Sequence, residues 1–431
     1  MRDPIYKKRR VEPYPAKFGG ERINDFIVMS EGYSNTYLIE TDEGDILINA
    51  GIFFEGPVHR KNYLGFSDHP VRFCVLTQGH VDHLGGVGHF REHNPEMELI
   101  TTAANVEHQA YDKRLAPFRT DRSSFAFASK MMGAFQYYQE QGYTDYPSQD
   151  IPVPDVTFDD RYSFTLGGLE VELIAVPGAE TNDSLIVWLP QHKTVFTGNL
   201  FGCPFGHFPN LVTIRGDRYR DALTVAHAVE VVKDLGAELL LYGHHEPVVG
   251  KELIETELDC LHKAIHHVHD EVVKGMNEGK DVETLMADIE VPAEIEVGQG
   301  YGKVNWSVRA IWENYAGWFK HKSTTELYNV PQTSVHADLL ELAGGADALA
   351  ARAEEKIAAG ELEQAIHLTD IVRSQQPEHA DAVAASRKAH ELLLEGSENF
   401  WLSSWLKHQI DTLNGIDIDK DTVDRRALTE G

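Results

Sequence analysis

The sequence predicts an α+β protein in which strands alternate with helices over the first half and an all-helical region follows. Over residues 25–250, short apolar runs alternate with glycine, proline, asparagine and aspartate, a pattern typical of strands bounded by turns. After Pro331 the composition becomes rich in alanine, glutamate and leucine, which favours helices. The chain has 431 residues, a length that allows two or three domains.

The predicted strands of the first region are short apolar runs. The first two flank a turn-forming segment at residues 41–45, so we expect them to form a hairpin. The runs lie at residues 37–39, 46–48, 73–76, 171–176, 185–189, 194–196 and 239–242.

A stretch rich in aromatic residues and methionine, residues 125–146, has two interpretations. Its periodicity is typical of a helix packed on the core. As an alternative, its apolar side chains, Tyr137 among them, would form a wall over a substrate pocket.

The C-terminal region contains two amphipathic helices separated by Pro377, after a helix-capping glycine pair at residues 344–345. The spacing of Ala353, Gly360, Ala365 and Pro377 is similar to that of a tetratricopeptide helical hairpin, whose repeat is about 34 residues. Only one hairpin is discernible, so we do not expect a long solenoid of repeats. A paired-helix unit of this kind usually docks on its own chain or on a partner subunit.

Charge and composition restrict the function classes. A formal net charge of −29 opposes binding to nucleic acid and to anionic membranes. No apolar run approaches the roughly 18 residues that span a bilayer. The basic residues 7–10 are not followed by the apolar stretch of a secretory signal, and we predict a solvated N-terminal arm. Three scattered cysteines fit a reducing compartment. We therefore expect a soluble, cytoplasmic protein acting on a small molecule.

The most informative segment is TQGHVDHLGG at residues 77–86, which follows a predicted strand. It offers two imidazoles and a carboxylate, His80, Asp82 and His83, and these donors suit zinc and neighbouring first-row metals. Glu180 and His244 each follow another predicted strand. Ligands delivered from several strand ends to one edge of a sheet assemble metal sites, so the sequence predicts one here.

These motifs resemble a known family. The HVDHLGG, PGAE and GHHEP segments together are similar to the metallo-β-lactamase superfamily, and residues 210–221 and 301–319 resemble its alkyl sulfatase branch. Residues 344–405 resemble the alkyl sulfatase dimerisation domain. The resemblance implies an N-terminal arm (1–24), an αββα sandwich (25–320), an all-α tetratricopeptide-like dimerisation domain (321–431), and a homodimer.

The resemblance also implies a ligand set with two departures from the family pattern. Asp82, His83 and His244 would hold one ion, whereas His80, Glu180 and weakly Gln78 would hold another. Gln78 stands where the family has its first histidine, and Gly198-Asn199 lacks the acidic residue that bridges two metals. We therefore predict one or two Zn²⁺ ions, with Mn²⁺ or Fe²⁺ as alternatives at the weaker site.

The resemblance assigns catalytic roles to Asp82, beside the metal-activated water, and to Arg215. Arg215 would clamp an anionic group together with Asn210, and Tyr137 is a further substrate-binding candidate. An ordinary ion pair of Arg215 with Asp217 or Asp221 is the alternative.

Three functions remain open: a metal-dependent hydrolase of ester, lactone or amide-like small molecules, an alkyl or aryl sulfatase, and a catalytically weak binding or scaffold protein with a degenerate metal site. The retained ligands argue against the third. The altered ligands argue against a sulfatase of the standard form, whereas the segment around Asn210 and Arg215 argues for one.

Overall fold

The computed structural model describes residues 3–144, 146–149 and 151–416. Within these residues the chain divides into two compact units. The first unit contains residues 3–122 and 130–315, and the second contains residues 123–129 and 316–416. The predicted boundaries of the N-terminal arm and of the two domains stay predictions.

Two sheets form the centre of the first unit. Their strand orders follow the chain from one edge to the other, with antiparallel pairs at β1–β4 and parallel pairs at β4–β7 in the first sheet. Among the described residues the first sheet has seven strands, β1 (Glu21–Arg22), β2 (Ile27–Ser30), β3 (Thr36–Ile39), β4 (Asp45–Ile48), β5 (Val71–Val75), β6 (Glu98–Thr102) and β7 (Val156–Phe158). The second, again within the described part, has six, β8 (Arg161–Leu166), β9 (Leu169–Ala175), β10 (Leu185–Leu189), β11 (Thr194–Gly198), β12 (Leu239–Tyr242) and β13 (Val248–Val249). All its pairs are antiparallel except β11 with β12.

Helices surround the sheets and make up the second unit. Those that begin in the first unit are α1 (Gly56–Tyr63), α2 (Val81–Leu84), α3 (Val87–His93), α4 (Ala104–Arg114), α5 (Ala116–Glu140), α6 (Ala222–Asp234), α7 (Lys251–Asn277), α8 (Val282–Asp288) and α9 (Val304–Ala316). Those of the second unit are α10 (His336–Leu342), α11 (Ala346–Ala358), α12 (Leu362–Gln375), α13 (Ala380–Glu395) and α14 (Phe400–Leu413). In the part of the chain that is described, none of them has both the length and the apolarity required to span a bilayer.

The first unit has the layer order helix, sheet, sheet, helix. Ile48 and Val75 of the first sheet pack against Leu185 and Phe196 of the second, and this apolar layer is the sandwich core. The outer face of the first sheet packs against α1 and α3, and that of the second sheet against α6, α7, α8 and α9. Each fully buried Leu, Ile, Val or Phe side chain contributes roughly 1.5–3 kcal/mol relative to an exposed one. The predicted α+β class and αββα sandwich are confirmed.

The predicted strands all occur, and none of their ends differs from the prediction by more than two residues. The aromatic stretch forms the C-terminal part of α5, which begins nine residues earlier than predicted, at Ala116, and ends at Glu140. Met131, Phe135 and Tyr137 pack against an apolar cluster that includes Phe54 and Tyr138. This arrangement agrees with the first interpretation of the stretch, a helix packed on the core.

The predicted N-terminal arm is exposed at Lys7, Lys8 and Arg10, whereas other residues of the segment contact the first unit. The Arg9 guanidinium donates to the carbonyl of Pro247 at 3.1 Å, and the amide of Ala16 donates to Glu55 Oε1 at 2.7 Å. Ala16 is fully buried. Lys7 and Arg9 therefore have partners more than 200 positions away in the sequence, Glu296 and Pro247, whereas Lys8 pairs with the nearby Asp3.

The second unit contains more than the single predicted hairpin. Helix α11 packs on α12, α12 on α13, and α13 on α14, so consecutive helices are neighbours in space. Buried small residues, Ala353, Ala365, Ala385 and Ala389, line these interfaces. Alanine gives a weak apolar periodicity, which explains why the sequence revealed only one hairpin.

Candidate metal centre

The segment with the histidine motif leaves the first sheet at the end of β5. Helix α2 begins directly after His80, so that Asp82 and His83 lie in a single turn. The backbone of Asn49 has φ +58°, a region in which asparagine is enriched. Its Oδ1 accepts hydrogen bonds from the amide (2.9 Å) and the hydroxyl (3.1 Å) of Thr77. The amide of Ala50 donates to the carbonyl of His83 at 2.7 Å. The end of β4 therefore holds the motif in position.

Two other strand ends meet the motif. After β9, Gly178 at φ +84° makes the turn that leads to Glu180. After β12 the chain reaches His244, and Asn35 secures this loop: its amide donates to the carbonyl of Gly243 at 2.6 Å, and its Nδ2 donates to the carbonyl of His245 at 2.6 Å. The predicted convergence of strand ends is thus present in the structure.

One group of side chains can hold a metal ion at this edge. Asp82, His83 and His244 each offer a donor atom, and these atoms all lie within 4.8 Å of one another. Asp82 Oδ2 is 3.5 Å from His83 Nε2 and 3.7 Å from His244 Nε2. Both imidazoles are buried, whereas the Asp82 side chain is partly exposed.

Burial keeps the two imidazoles neutral. It lowers the pKa of His83 to about 3, although Asp183 opposes this shift, and it lowers the pKa of His244 to about 3 against the opposing charge of Asp82. Burial also raises the pKa of Asp82, whereas His244 opposes that shift. Both ring nitrogens of His83 and the Nδ1 of His244 are buried without a hydrogen-bond partner among the described residues. Neutral imidazoles and a carboxylate with unused lone pairs fit a zinc ion.

The other three predicted ligands contact different partners. Gln78 Nε2 donates to His80 Nδ1 at 2.7 Å. The Glu180 carboxylate accepts from Arg220 Nη2 at 2.9 Å, and both side chains are less than a tenth exposed. These ligand assignments stay predictions, as do those of Asp82, His83 and His244.

A second group of potential donors, again among the described residues, lies on one side of α3. It consists of His89, Glu92 and His93, of which Glu92 and His93 are exposed. Surface groups of this kind are common without an ion, and the loop motif does not include them.

Arg215 lies beside the predicted metal donors. Its positive charge interacts electrostatically with His80, Asp82 and Glu180. Arg122 fixes the loop because its Nε donates to the Arg215 carbonyl at 2.8 Å.

The two carboxylates that were the ion-pair alternatives for Arg215 have other partners as well, and the charge of Arg215 also acts on Asp217. Asp217 accepts from Arg119 at 2.9 Å, and Asp221 caps α6 by accepting from the Thr224 amide at 2.8 Å.

The remaining substrate-binding candidates differ in their surroundings. Asn210 is buried, its carbonyl accepts from Arg220, and its Oδ1 has no hydrogen-bond partner in the described part of the chain. Tyr137 instead packs against Phe18 and Tyr138, with ring centroids 5.9 and 5.4 Å apart. In the structure Tyr137 therefore packs against other aromatic side chains, and its contact with a substrate stays a prediction.

Several polar residues around the centre were not singled out from the sequence. Asp183 is fully buried, accepts from Asn105 Nδ2 at 2.6 Å, and lies 3.6 Å from His108 Nδ1. The His108 ring is 5.6 Å from that of His80. A signal existed for Asp183, which follows Glu180 by three positions in the same strand-end turn, but none existed for Asn105 or His108.

The sandwich and the donor set define a metal-dependent hydrolase, the class predicted from the motifs. Two family models match the chain: the metallo-beta-lactamase superfamily over residues 29–244 and alkyl sulfatase dimerisation over residues 283–414. The chain belongs to the metallo-β-lactamase superfamily, and the predicted alkyl sulfatase-like character is confirmed.

The chain is similar to proteins named as sulfatases. A linear primary-alkylsulfatase of a Pseudomonas species is 26% identical, and the match covers 82% of this chain and 68% of the relative. The alkyl/aryl-sulfatase BDS1 of Saccharomyces cerevisiae is 22% identical, with 83% of this chain and 58% of the relative covered. An (R)-specific secondary-alkylsulfatase of a Pseudomonas species is 23% identical, with 92% and 62% covered. The chain thus spans about three fifths to two thirds of the length of these relatives.

One solved structure shares the fold over most of the chain. The stereoselective inverting sec-alkylsulfatase Pisa1 of a Pseudomonas species has a TM-score of 0.82 and 22% identity, and the match covers 95% of this chain and 67% of the other. At this identity the similarity establishes the fold alone.

Proposed function

We propose that the chain hydrolyses sulfate esters, binding the sulfuryl group with Arg215 beside a divalent cation held by Asp82, His83 and His244. The observation that carries the proposal is the electrostatic interaction of Arg215 with Asp82 and Glu180 at this strand edge, in a chain of net charge −29. A neutral ester, lactone or amide has no anionic group for this guanidinium to bind, whereas a sulfate ester does. The sulfatases among its relatives support the same substrate class.

The residues around the proposed metal position would have different roles in the reaction. A divalent cation held by Asp82, His83 and His244 would supply hydroxide from water at neutral pH. The Asp82 carboxylate would help to hold the ion and could accept a hydrogen bond from the attacking water. Arg215 would orient the sulfuryl oxygens and neutralise charge that develops on the leaving group. Asn210, a buried residue whose Oδ1 has no hydrogen-bond partner among the described residues, is a further candidate to contact the substrate. Because the imidazoles of His83 and His244 are buried, bulk water has limited access to compete for the predicted metal position.

The test compares the rates on several classes of ester and the effect of substituting Arg215. Rates are measured on a primary alkyl sulfate, an aryl sulfate, a carboxylate ester of the same alkyl group and a phosphate monoester. We expect the sulfates to be the best substrates, and Arg215→Ala to lower kcat/KM for them by about 10²-fold, with partial recovery in Arg215→Lys.

Arg218→Ala is the matched control, because Arg218 is exposed in the same loop and stacks on Tyr111 with its guanidinium 4.4 Å from the ring centroid. It should leave kcat/KM unchanged. Faster turnover of the carboxylate ester, with no effect of Arg215→Ala, would instead favour the ester hydrolase hypothesis.

We also propose that the protein is a homodimer formed through residues 316–416. The match to the alkyl sulfatase dimerisation model supports this, as does the exposure of large apolar side chains in that unit. Trp318, Tyr328 and Leu342 are 69%, 68% and 85% exposed in the single chain. A second copy of the same unit would remove this apolar surface from water.

A further inference from the structure

The resemblance implies two ion positions, and the side chains at these two positions make different contacts in the structure. At the first, Asp82, His83 and His244 bring three donor atoms within 4.8 Å of one another. At the second, His80, Glu180 and Gln78 were the predicted ligands. Gln78 and His80 contact each other in a way that competes with metal binding, and the Glu180 carboxylate is paired with Arg220 through one of its two oxygens.

Gln78 binds the nitrogen that His80 would offer. The backbone amide of Asn199 donates to Gln78 Oε1 at 3.4 Å, and this contact determines which end of the side-chain amide faces which neighbour. The NH₂ group therefore meets His80 Nδ1, 2.7 Å away. Because an amide NH₂ can only donate, Nδ1 is the acceptor and its lone pair is in use. The proton of the neutral ring then lies on Nε2, so neither ring nitrogen has a lone pair for a metal.

Glu180 has a cation of its own. Arg220 donates through Nη2 to Glu180 Oε1 at 2.9 Å and through Nε to the Glu180 carbonyl at 2.6 Å. Both side chains are less than a tenth exposed. A metal ion that drew the carboxylate away would leave the Arg220 guanidinium buried without its counter-charge, which is strongly unfavourable.

The position expected to hold a bridging carboxylate is a glycine, and its surroundings disfavour a side chain. Gly198 has φ +54°, a conformation that residues other than glycine, asparagine and aspartate rarely adopt. A Cβ atom there would clash with the Thr77 hydroxyl and lie 2.8 Å from Thr77 Cβ, so Thr77 would have to shift. Thr77 is itself held by Asn49. The chain therefore lacks a carboxylate at this position, and packing opposes the introduction of one.

We infer that this chain binds one divalent cation in its active centre, at Asp82, His83 and His244, and that Gln78 closes the second position by occupying His80 Nδ1. The inference rests on the metal centre of the proposed function. Its test counts ions and protons rather than turnover, so it can fail while sulfate ester hydrolysis is found, and the reverse.

The experiment uses the full chain, made metal-free and then saturated with Zn²⁺. The surface group on α3 is first removed with His89→Ala/His93→Ala, so that every ion counted belongs to the centre. Elemental analysis after desalting and calorimetric titration should both give one zinc per chain. Adding Asp82→Ala should remove it. Two tightly bound ions per chain in the starting protein would overturn the inference.

A histidine at position 78 should reopen the second position. Gln78→His replaces the amide by a metal ligand and frees His80 Nδ1, so we expect more than one zinc per chain. Gln191→His, which adds a histidine at an exposed position, is the control and should stay at one. A value of one in Gln78→His would show that Gln78 is not the residue that closes the position.

A measurement on the unaltered chain keeps the inference testable if Gln78→His does not fold. The ¹⁵N NMR signals of the His80 ring, assigned by comparison with His80→Gln, report which nitrogen is protonated. We expect a proton on Nε2 and an unprotonated Nδ1 both before and after zinc is added. Loss of the Nε2 proton, or a large shift of Nδ1 on zinc binding, would contradict the inference.

Discussion

At the scale of single residues, close backbone packing explains the glycine pair that ends the metal-binding motif. Gly86 lies against the loop after β4, where its amide donates to the carbonyl of Gly51 at 3.0 Å. A Cβ atom on Gly86 would clash with the carbonyl oxygen of Ala50. Ala50 in turn holds His83 through its backbone amide, so the glycine allows the motif to lie directly on the neighbouring strand end.

Gly86→Ala should therefore destabilise the protein by at least about 2 kcal/mol, since backbone must shift in a packed region. The matched substitution is Gly133→Ala, because Gly133 lies in the interior of α5 with open space around its Cβ position. There alanine should stabilise by about 0.5–1 kcal/mol. Chemical denaturation of both variants measures the difference. Equal stability of the two variants would argue against the packing described.

A second prediction for single residues concerns the predicted metal ligands and the stability of the fold. An ion that binds only the folded state stabilises it, by about 2.7 kcal/mol when its concentration is 100 times Kd. Zinc should therefore raise the melting temperature of the metal-free protein, and Asp82→Ala and His244→Ala should abolish that rise. His93→Ala, in the surface group on α3, should keep it. A zinc-dependent rise of normal size in Asp82→Ala would mean that the ion binds elsewhere.

At the scale of elements, the site depends on where α6 begins. Asp221 caps the helix: its Oδ1 accepts from the amide and the hydroxyl of Thr224 at 2.8 and 3.0 Å. The residue before it, Arg220, is buried and reaches both Glu180 and the carbonyl of Asn210. The N-terminal end of one helix thus connects a strand-end turn to the loop that contains Arg215.

Asp221→Ala should lower the free energy of unfolding by about 1 kcal/mol, the usual effect of losing an N-cap. Asp221→Asn should keep most of it, because the amide oxygen also accepts from the Thr224 amide. Thermal denaturation distinguishes the two variants. An equal loss of stability in both would indicate that the charge of Asp221, and not its capping hydrogen bond, stabilises the helix.

At the scale of the whole molecule, the exposed apolar side chains of residues 316–416 are the basis for predicting assembly. Light scattering coupled to size-exclusion chromatography should give twice the chain mass of 48.4 kDa at micromolar concentration. Substituting the most exposed of them, Leu342→Lys, should shift the equilibrium towards the single chain. Leu64→Lys, at a leucine of the other unit that is 56% exposed, should not. A mass of one chain for the unaltered protein would reject the homodimer.

Local patterns in the sequence determined a large part of this protein. Most strands of the sandwich are short apolar runs, and the predicted ligands His80, Asp82 and His83 lie within four positions of one another after one of them. A pattern of this kind is visible because the residues that make it are neighbours in the chain. The α+β class, the metal-binding motif and the two-part organisation therefore follow from the sequence alone.

Tertiary structure decided what each of those side chains contacts. Gln78 meets the amide of Asn199, 121 positions away, and Arg220 meets Glu180, 40 positions away. Arg9 of the N-terminal arm donates a hydrogen bond to Pro247, which lies 238 positions away in the sequence. Such contacts arise only when the sandwich brings strand ends together, and no periodicity or local spacing encodes them. Whether Gln78 helps to bind a second ion or prevents its binding is therefore a property of the folded molecule.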